Sequence, residues 1–522
     1  MKIKTTPKAI LIASISLMLA VSGNYSVRAS SVWSNAGTDW NTAANWSAGV
    51  PNNTGYVVIQ TNPVDQPNIS ASNVTTSLII RNFTATAGYD ITAANGATLT
   101  LGGGYNVGDN SPYAYVIVEN TSNNTIAAPI AVDSGALGAF SQDANGGTLA
   151  LSGVISASTA TNTDTTSNST TGQSGTGEIA FYAKTGGVVA VTGANTFTNA
   201  VVAEGGGTVQ VNTIGNAGYT SALGESGTIN VNGAVLNYVG AGETTTKTFN
   251  LTGNNTIDTT GATGPLIIST PISTPGGGVL TLTGANSGNQ IAQIVDGTGP
   301  SSVTKTGAGS WTLAGANTYT GATTISNGTL IVASGASTGS LSSVSLGAAT
   351  LAGAGTIGGL VTASGASGAS NITAASTSTI GNLTLNGGVT SANGLTLNIG
   401  IDGAGATNSS ITLGAGMAVT GTLTVNLYDE GTNSLSIGTP YNIVTGSVGS
   451  ISDSSLAVNL LNSGNYILNS AYGTNGIAIS GDTMSFELSP IPEPTVLEAL
   501  SLGFGLLMIM RRRSGSFYIR RS

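Results

Sequence analysis

The 522-residue chain has no cysteine and no histidine. The first absence removes disulfides as staples and thiols as nucleophiles. The second removes His-based triads, and the two together remove zinc sites built on the usual nitrogen and sulfur ligands. Charge is nearly as scarce, at 7% of residues, against about 25% in ordinary soluble proteins. Nine of the 13 basic residues sit in the termini: Lys2, Lys4, Lys8, Arg28, Arg511, Arg512, Arg513, Arg520 and Arg521. Between Ser30 and Ser489 only Arg81, Lys184, Lys247 and Lys305 face 20 acidic residues, a balance of 4 − 20 = −16. Nucleic acid is not an expected partner of such a body, because its binding needs clustered Lys and Arg.

What fills the chain instead is Gly, Ser, Thr and Asn, interleaved with apolar residues that make up 40% of the total. Disorder requires few apolar and β-branched residues, and here they are plentiful and alternate. A stack of parallel strands suits the scarcity of charge, since like charges one rung apart repel. Residues 305–332 show the pattern best. Trp311 and Leu313 alternate with Thr312 and Ala314, Gly315-Ala316-Asn317 breaks the run, 323–325 is short and β-prone, and Asn327-Gly328 turns the chain before Leu330 and Val332. The unit reads strand, turn, strand, turn, strand. The order apolar, any, apolar, any, Gly recurs at Phe249-Leu251-Gly253, Leu280-Leu282-Gly284 and Trp311-Leu313-Gly315, with glycines 31 and 31 residues apart. A period near 30 predicts a solenoid whose units stack because none buries its apolar face alone.

Residues 305–332 closely resemble the autotransporter-associated beta strand repeat, and 184–211 are a weaker match in which Asn199 stands where the better copy has Gly321. The resemblance implies an all-β fold, a right-handed parallel β-helix of exported passenger regions, and no activity. The solenoid is expected over 30–400. Three of the four tryptophans, Trp33, Trp40 and Trp46, precede it. They are read as a cap on its first rung rather than as a sugar platform, although aromatic rings do stack on sugars. Over 401–489 the alternating runs lack the Gly-Ala-Asn turn, which predicts an antiparallel β cap over the open edge. The polar run 156–177 reads as a loop extruded from one rung.

The termini read as addresses with short helical segments. Lysines before an apolar run, then Val27-Arg28-Ala29, mark 1–29 as a signal peptide for Sec-type export, cleaved after Ala29. At the other end Pro492, Glu493 and Pro494 precede a mainly apolar run at 496–510 and the basic stop Arg511, Arg512, Arg513. Residues 490–522 resemble the PEP-CTERM sorting signal of Gram-negative bacteria. That resemblance implies transient inner-membrane insertion through 496–510, recognition by an exosortase, and release or attachment at the cell surface. Glu498 in the apolar run departs from a comfortable permanent anchor.

No catalytic residue, cofactor or metal site is expected. Asp429-Glu430 is the one adjacent acidic pair, before Gly431 in a turn, and neighbouring strand residues point to opposite faces. Lys184 and Lys305 belong to the repeat, and neither Arg81 nor Lys247 is set among acids in sequence. The expected function is therefore non-enzymatic: an exported cell-surface or extracellular-matrix protein in adhesion, biofilm or polymer architecture, with extracellular polysaccharide as a further candidate partner. The alternative is a carbohydrate-active β-helix enzyme or a polysaccharide-binding protein.

Overall fold

The computed structural model describes residues 31–491 apart from 52–55, 61–63, 76, 82–86, 95, 102–112, 133–136, 158–177, 275–276, 367–368, 375–379, 403–406, 430–433, 447–455, 462–465 and 481. Ala29, Pro492, Glu493, Pro494, Arg511, Arg512 and Arg513, the 496–510 run, Glu430 and nearly all of the 156–177 loop lie outside the described residues.

Alternation dictates the strands. In Ser310–Leu313 Trp311 and Leu313 are buried while Ser310 and Thr312 face outward, and Thr329–Val332 repeats the pattern with Leu330 and Val332. Each such strand pairs in parallel with the equivalent strand one coil on, so Trp311 lies beside Leu330 and Leu313 beside Val332. Inside the solenoid this builds apolar columns, as in Trp311, Leu330, Leu351, Ile372, Leu397 and Val425. Each fully buried Leu or Ile contributes roughly 1.5–3 kcal/mol relative to an exposed one. Among the described residues the result is a parallel β-solenoid with a 20-stranded and a 15-stranded sheet along its length, and no α-helix.

A third side changes place along the stack. In the first coils a four-stranded sheet (Asn73–Thr75, Leu99–Leu101, Ile130–Val132, Ile155–Ala157) follows the 15-stranded sheet in chain order and precedes the 20-stranded one. In the last coils strands of a six-stranded sheet (Thr356–Ile357, Asn382–Leu385, Ser410–Leu413) follow the 20-stranded sheet and precede the 15-stranded one.

The 31-residue spacing is not the coil. Phe249 stacks on Ile272, 23 residues on, in the 20-stranded sheet, whereas Leu280 sits in the 15-stranded sheet between Asn255 and Val303. Trp311 is back in the 20-stranded sheet. Successive copies of the pattern thus fall on alternate sheets, about one and a half turns apart. One turn runs from 17 residues, Val344 to Val361, to 41, Phe140 to Phe181.

At the far end Leu423–Asp429 and Leu456–Leu461 continue the 20-stranded sheet in parallel, rather than antiparallel as their texture suggested. The physical reason is that alternation reports a buried face and not a strand direction. Antiparallel pairing occurs where Tyr441–Gly446 meets Thr483–Phe486, where that strand meets Ile477–Ser480, and where Tyr466–Leu468 meets Leu488–Pro490.

At the near end Trp33, Trp40 and Trp46 are buried, with ring centroids 4.8–6.4 Å apart. Their indole N–H groups bond Asn35, Asn73 and the Trp40 carbonyl. They are core under the first coil, and no ring face is left for a sugar.

Candidate functional site

The polar groups of this molecule concentrate at the corners, where chain leaves one sheet for the next and backbone carbonyls turn inward. Buried carbonyls need donors, and the sequence supplies long ones. Lys305, fully buried at the end of Ser301–Lys305, spends all three ammonium hydrogens on carbonyls: Thr306 at 2.5 Å, Gly307 at 2.8 Å and Asn327, one coil on, at 3.1 Å. Burial pushes its pKa down to about 8.

Asn317 is a second corner staple. Its Oδ1 accepts from Ile294 N at 2.7 Å in one neighbouring coil, and its Nδ2 donates to Ser337 O at 2.7 Å in the other. Asn195 does the same in the 184–211 copy, accepting from Ile155 N and donating to Ala222 O, both at 2.6 Å. Tyr319 and Phe197, each two residues further on, fill the corner beneath. Tyr319 bonds Thr323 at 2.7 Å, and burial drives its hydroxyl up to about 12 despite the Thr323 and Ser342 hydroxyls. Asp296 clasps the following turn through Ser301 N and through the N–H and hydroxyl of Thr320.

The two copies are half a turn out of phase. In 305–332 the first and third strands lie in the 20-stranded sheet and the middle strand in the 15-stranded one; in 184–211 the assignment is reversed. Residues 303–332 match the family model of the passenger-associated-transport-repeat. The passenger repeat is thus a corner device, one Asn-stapled crossing flanked by strands, which works on either side of the solenoid. The adhesin BmaC autotransporter of Brucella suis biovar 1 (strain 1330) is 33% identical over 140 residues, which are 26% of this chain and 4% of that relative. The chain therefore carries an autotransporter-associated repeat within a parallel β-solenoid.

Two groupings were invisible in the sequence. Arg81 is ion-paired with Glu119, 38 residues on and one coil away, at 2.6 Å. Lys247, fully buried, donates to Leu223 O at 3.2 Å and Gly224 O at 2.7 Å. Burial pushes it down to about 8, against the opposing pull of Glu243 and Glu225. Acids beside a lysine are what acid–base chemistry on a β-helix would need. Here the Lys247 ammonium is turned into the corner, and Glu243 is committed to the backbone N–H groups of Ile214 and Gly215 at 2.6 and 3.0 Å. The groups hold the 213–227 excursion in place. Among the described residues no three His, Cys, Asp or Glu side chains gather as a metal site.

The outward face of the 15-stranded sheet carries the opposite texture. Thr256, Thr281, Thr304, Thr324, Ser345, Thr362 and Thr390 stand in register on seven consecutive strands with no charge between them. Rungs of a sheet are about 4.8 Å apart. Asn398, Asn426 and Asn459 form a similar ladder on the 20-stranded sheet, amide to amide at 2.9 Å.

Proposed function

We infer that this chain is an exported, adhesin-like surface or matrix protein, non-enzymatic, in which the solenoid is a stalk that presents neutral hydroxyl and amide ladders. The observation that carries the reading is the seven-rung Thr/Ser column. An uncharged, periodic face suits repeated weak contact with polymer or with neighbouring stalks better than turnover of one substrate. The passenger repeat and the adhesin relative add support, the latter through a small part of its length. The winding is right-handed by the general rule for parallel crossovers, and the antiparallel strands over 441–490 act as its cap.

In the same reading 1–29 direct Sec-type export with cleavage after Ala29. Pro492, Glu493 and Pro494 present the chain to an exosortase while 496–510 rest transiently in the inner membrane, stopped by Arg511, Arg512 and Arg513. Mass spectrometry of the exported protein is expected to find a C-terminus upstream of 496. An intact end beyond Arg513 would sink the sorting reading. Binding of the purified body to extracellular polysaccharide, without depolymerisation, tests the rest, and measurable cleavage of the polymer counts against it.

A further inference from the structure

Asn327 and Gly328 make the turn between Thr323–Ile325 and Thr329–Val332. Gly328 is left-handed, at φ 67°, and its N–H donates to the Oδ1 of Asn327 itself at 2.7 Å. That oxygen is bonded to Cγ, so the hydrogen bond holds the Gly328 nitrogen and the side-chain carbonyl group it would attack together in one tight turn. The backbone carbonyl of Asn327 shares a peptide group with this nitrogen, and it accepts a hydrogen bond from Lys305 Nζ at 3.1 Å. Removing the proton from a peptide nitrogen places negative charge on its carbonyl oxygen. A cation preorganised at that oxygen stabilises the charge as an oxyanion hole does. Asn327 is exposed, so water reaches it, while Lys305 is fixed from within.

We propose that Asn327-Gly328 is a self-modifying site, at which Lys305 catalyses closure of a succinimide ring that water then opens to aspartate or isoaspartate. The steps balance. Hydroxide takes the Gly328 N–H proton; the nitrogen attacks Asn327 Cγ and the N–Cγ bond forms. The Cγ–Nδ2 bond breaks, and Nδ2 leaves as ammonia with a proton from water. One water then adds to either ring carbonyl, so the net change is water in and ammonia out. The product places a carboxylate beside the Lys305 ammonium and gives that buried cation an anionic partner. The isoaspartyl form also adds a methylene to the backbone just ahead of Thr329–Val332, which loosens the pairing with Ser310–Leu313.

The rest of the chain supplies internal controls. Asn-Gly also occurs at 145, 232, 386, 393 and 475, and at 95 outside the described residues; at none of the five described pairs does the glycine N–H bond the preceding asparagine's own side chain. The 184–211 copy has Gly205-Gly206-Gly207 at the equivalent turn, with no side-chain amide to react.

The test is peptide mass mapping of the purified full chain during prolonged incubation near neutral pH, where Lys305 keeps its proton, natively and in urea. Asn327 is expected to convert roughly tenfold or more faster than Asn232, Asn386 and Asn393 in the native protein, and faster natively than in urea. A rate equal to the other pairs, or one that rises in urea, overturns the proposal. Lys305→Met is expected to remove the native advantage at Asn327 and leave the other sites unchanged. An undiminished advantage in a folded Lys305→Met protein overturns the part given to the lysine. If that variant does not fold, the native-against-urea comparison decides.

Discussion

The interior of this solenoid tolerates a lysine because every hydrogen of its ammonium is spent. Lys305 satisfies three carbonyls from two coils, so it acts as a backbone cap delivered by a side chain, and the cost of burying its charge appears as a lowered pKa. The sign of the linkage follows. Lys247 and Lys305, near 8 in the fold and 10.5 when free, bind fewer protons folded than unfolded across that interval, so stability rises with pH there. Tyr319, at about 12 against 10, keeps a proton that the unfolded chain releases, so stability falls above 10. The thermal midpoint is expected to climb from pH 8 and turn over near pH 10, and a profile flat over that range would contradict the burial of these groups. Asn317→Ala strips the amide that joins three coils, leaving buried partners unpaired at about 1–3 kcal/mol each. Hydrogen exchange should quicken at Ile294 and along 315–337 before it does elsewhere. The residue types were legible from the sequence, but their partners were not. Arg81 meets Glu119 across 38 residues, and only the length of the intervening coil brings them together.

Short strands, most of them three to six residues long, carry the architecture, and their alternation was readable where one face is wet. Trp311, Leu313, Leu330 and Val332 point inward as their spacing predicts. What alternation cannot report is which sheet a strand joins or in which direction, and so the 31-residue pattern posed as a rung when it is about one and a half turns. The outward column makes a separate prediction. Thr304→Lys combined with Thr324→Lys sets two cations one rung apart, and the pair should lower the urea midpoint by more than the two single changes together. Added salt should restore part of the difference. Exact additivity at low salt would mean that the two positions do not face each other.

At the scale of the molecule the difference between pattern and turn becomes an experiment. Removing 311–329, one turn by the register that sets Ser310 beside Thr329, should preserve sheet order and a cooperative unfolding transition. Removing 285–315, one sequence period, joins a strand of the 15-stranded sheet to the crossing that leads to the next strand of that same sheet. It should yield a protease-sensitive chain with weakened β circular dichroism, and equal stability of the two deletions would overturn the coil assignment. The solenoid was legible as a whole because stacking neighbours is the one economy open to short apolar strands without disulfides. The place where its third side changes over was not: single bridges, Asn195 to Ser221 in one arm and Ala316 to Ser337 in the other, are what lies between the two small sheets, and such lone contacts leave no pattern in the sequence. Unequal coils have a mechanical meaning as well. A stalk held at one end and dragged by flow at the other would shed coils singly. Each would release slack in proportion to its residues, from about 60 Å for the 17-residue turn to about 140 Å for the 41-residue one at roughly 3.5 Å per residue. Pulled from its ends, such a molecule is expected to lengthen in unequal steps that, read in order, spell out its coil lengths.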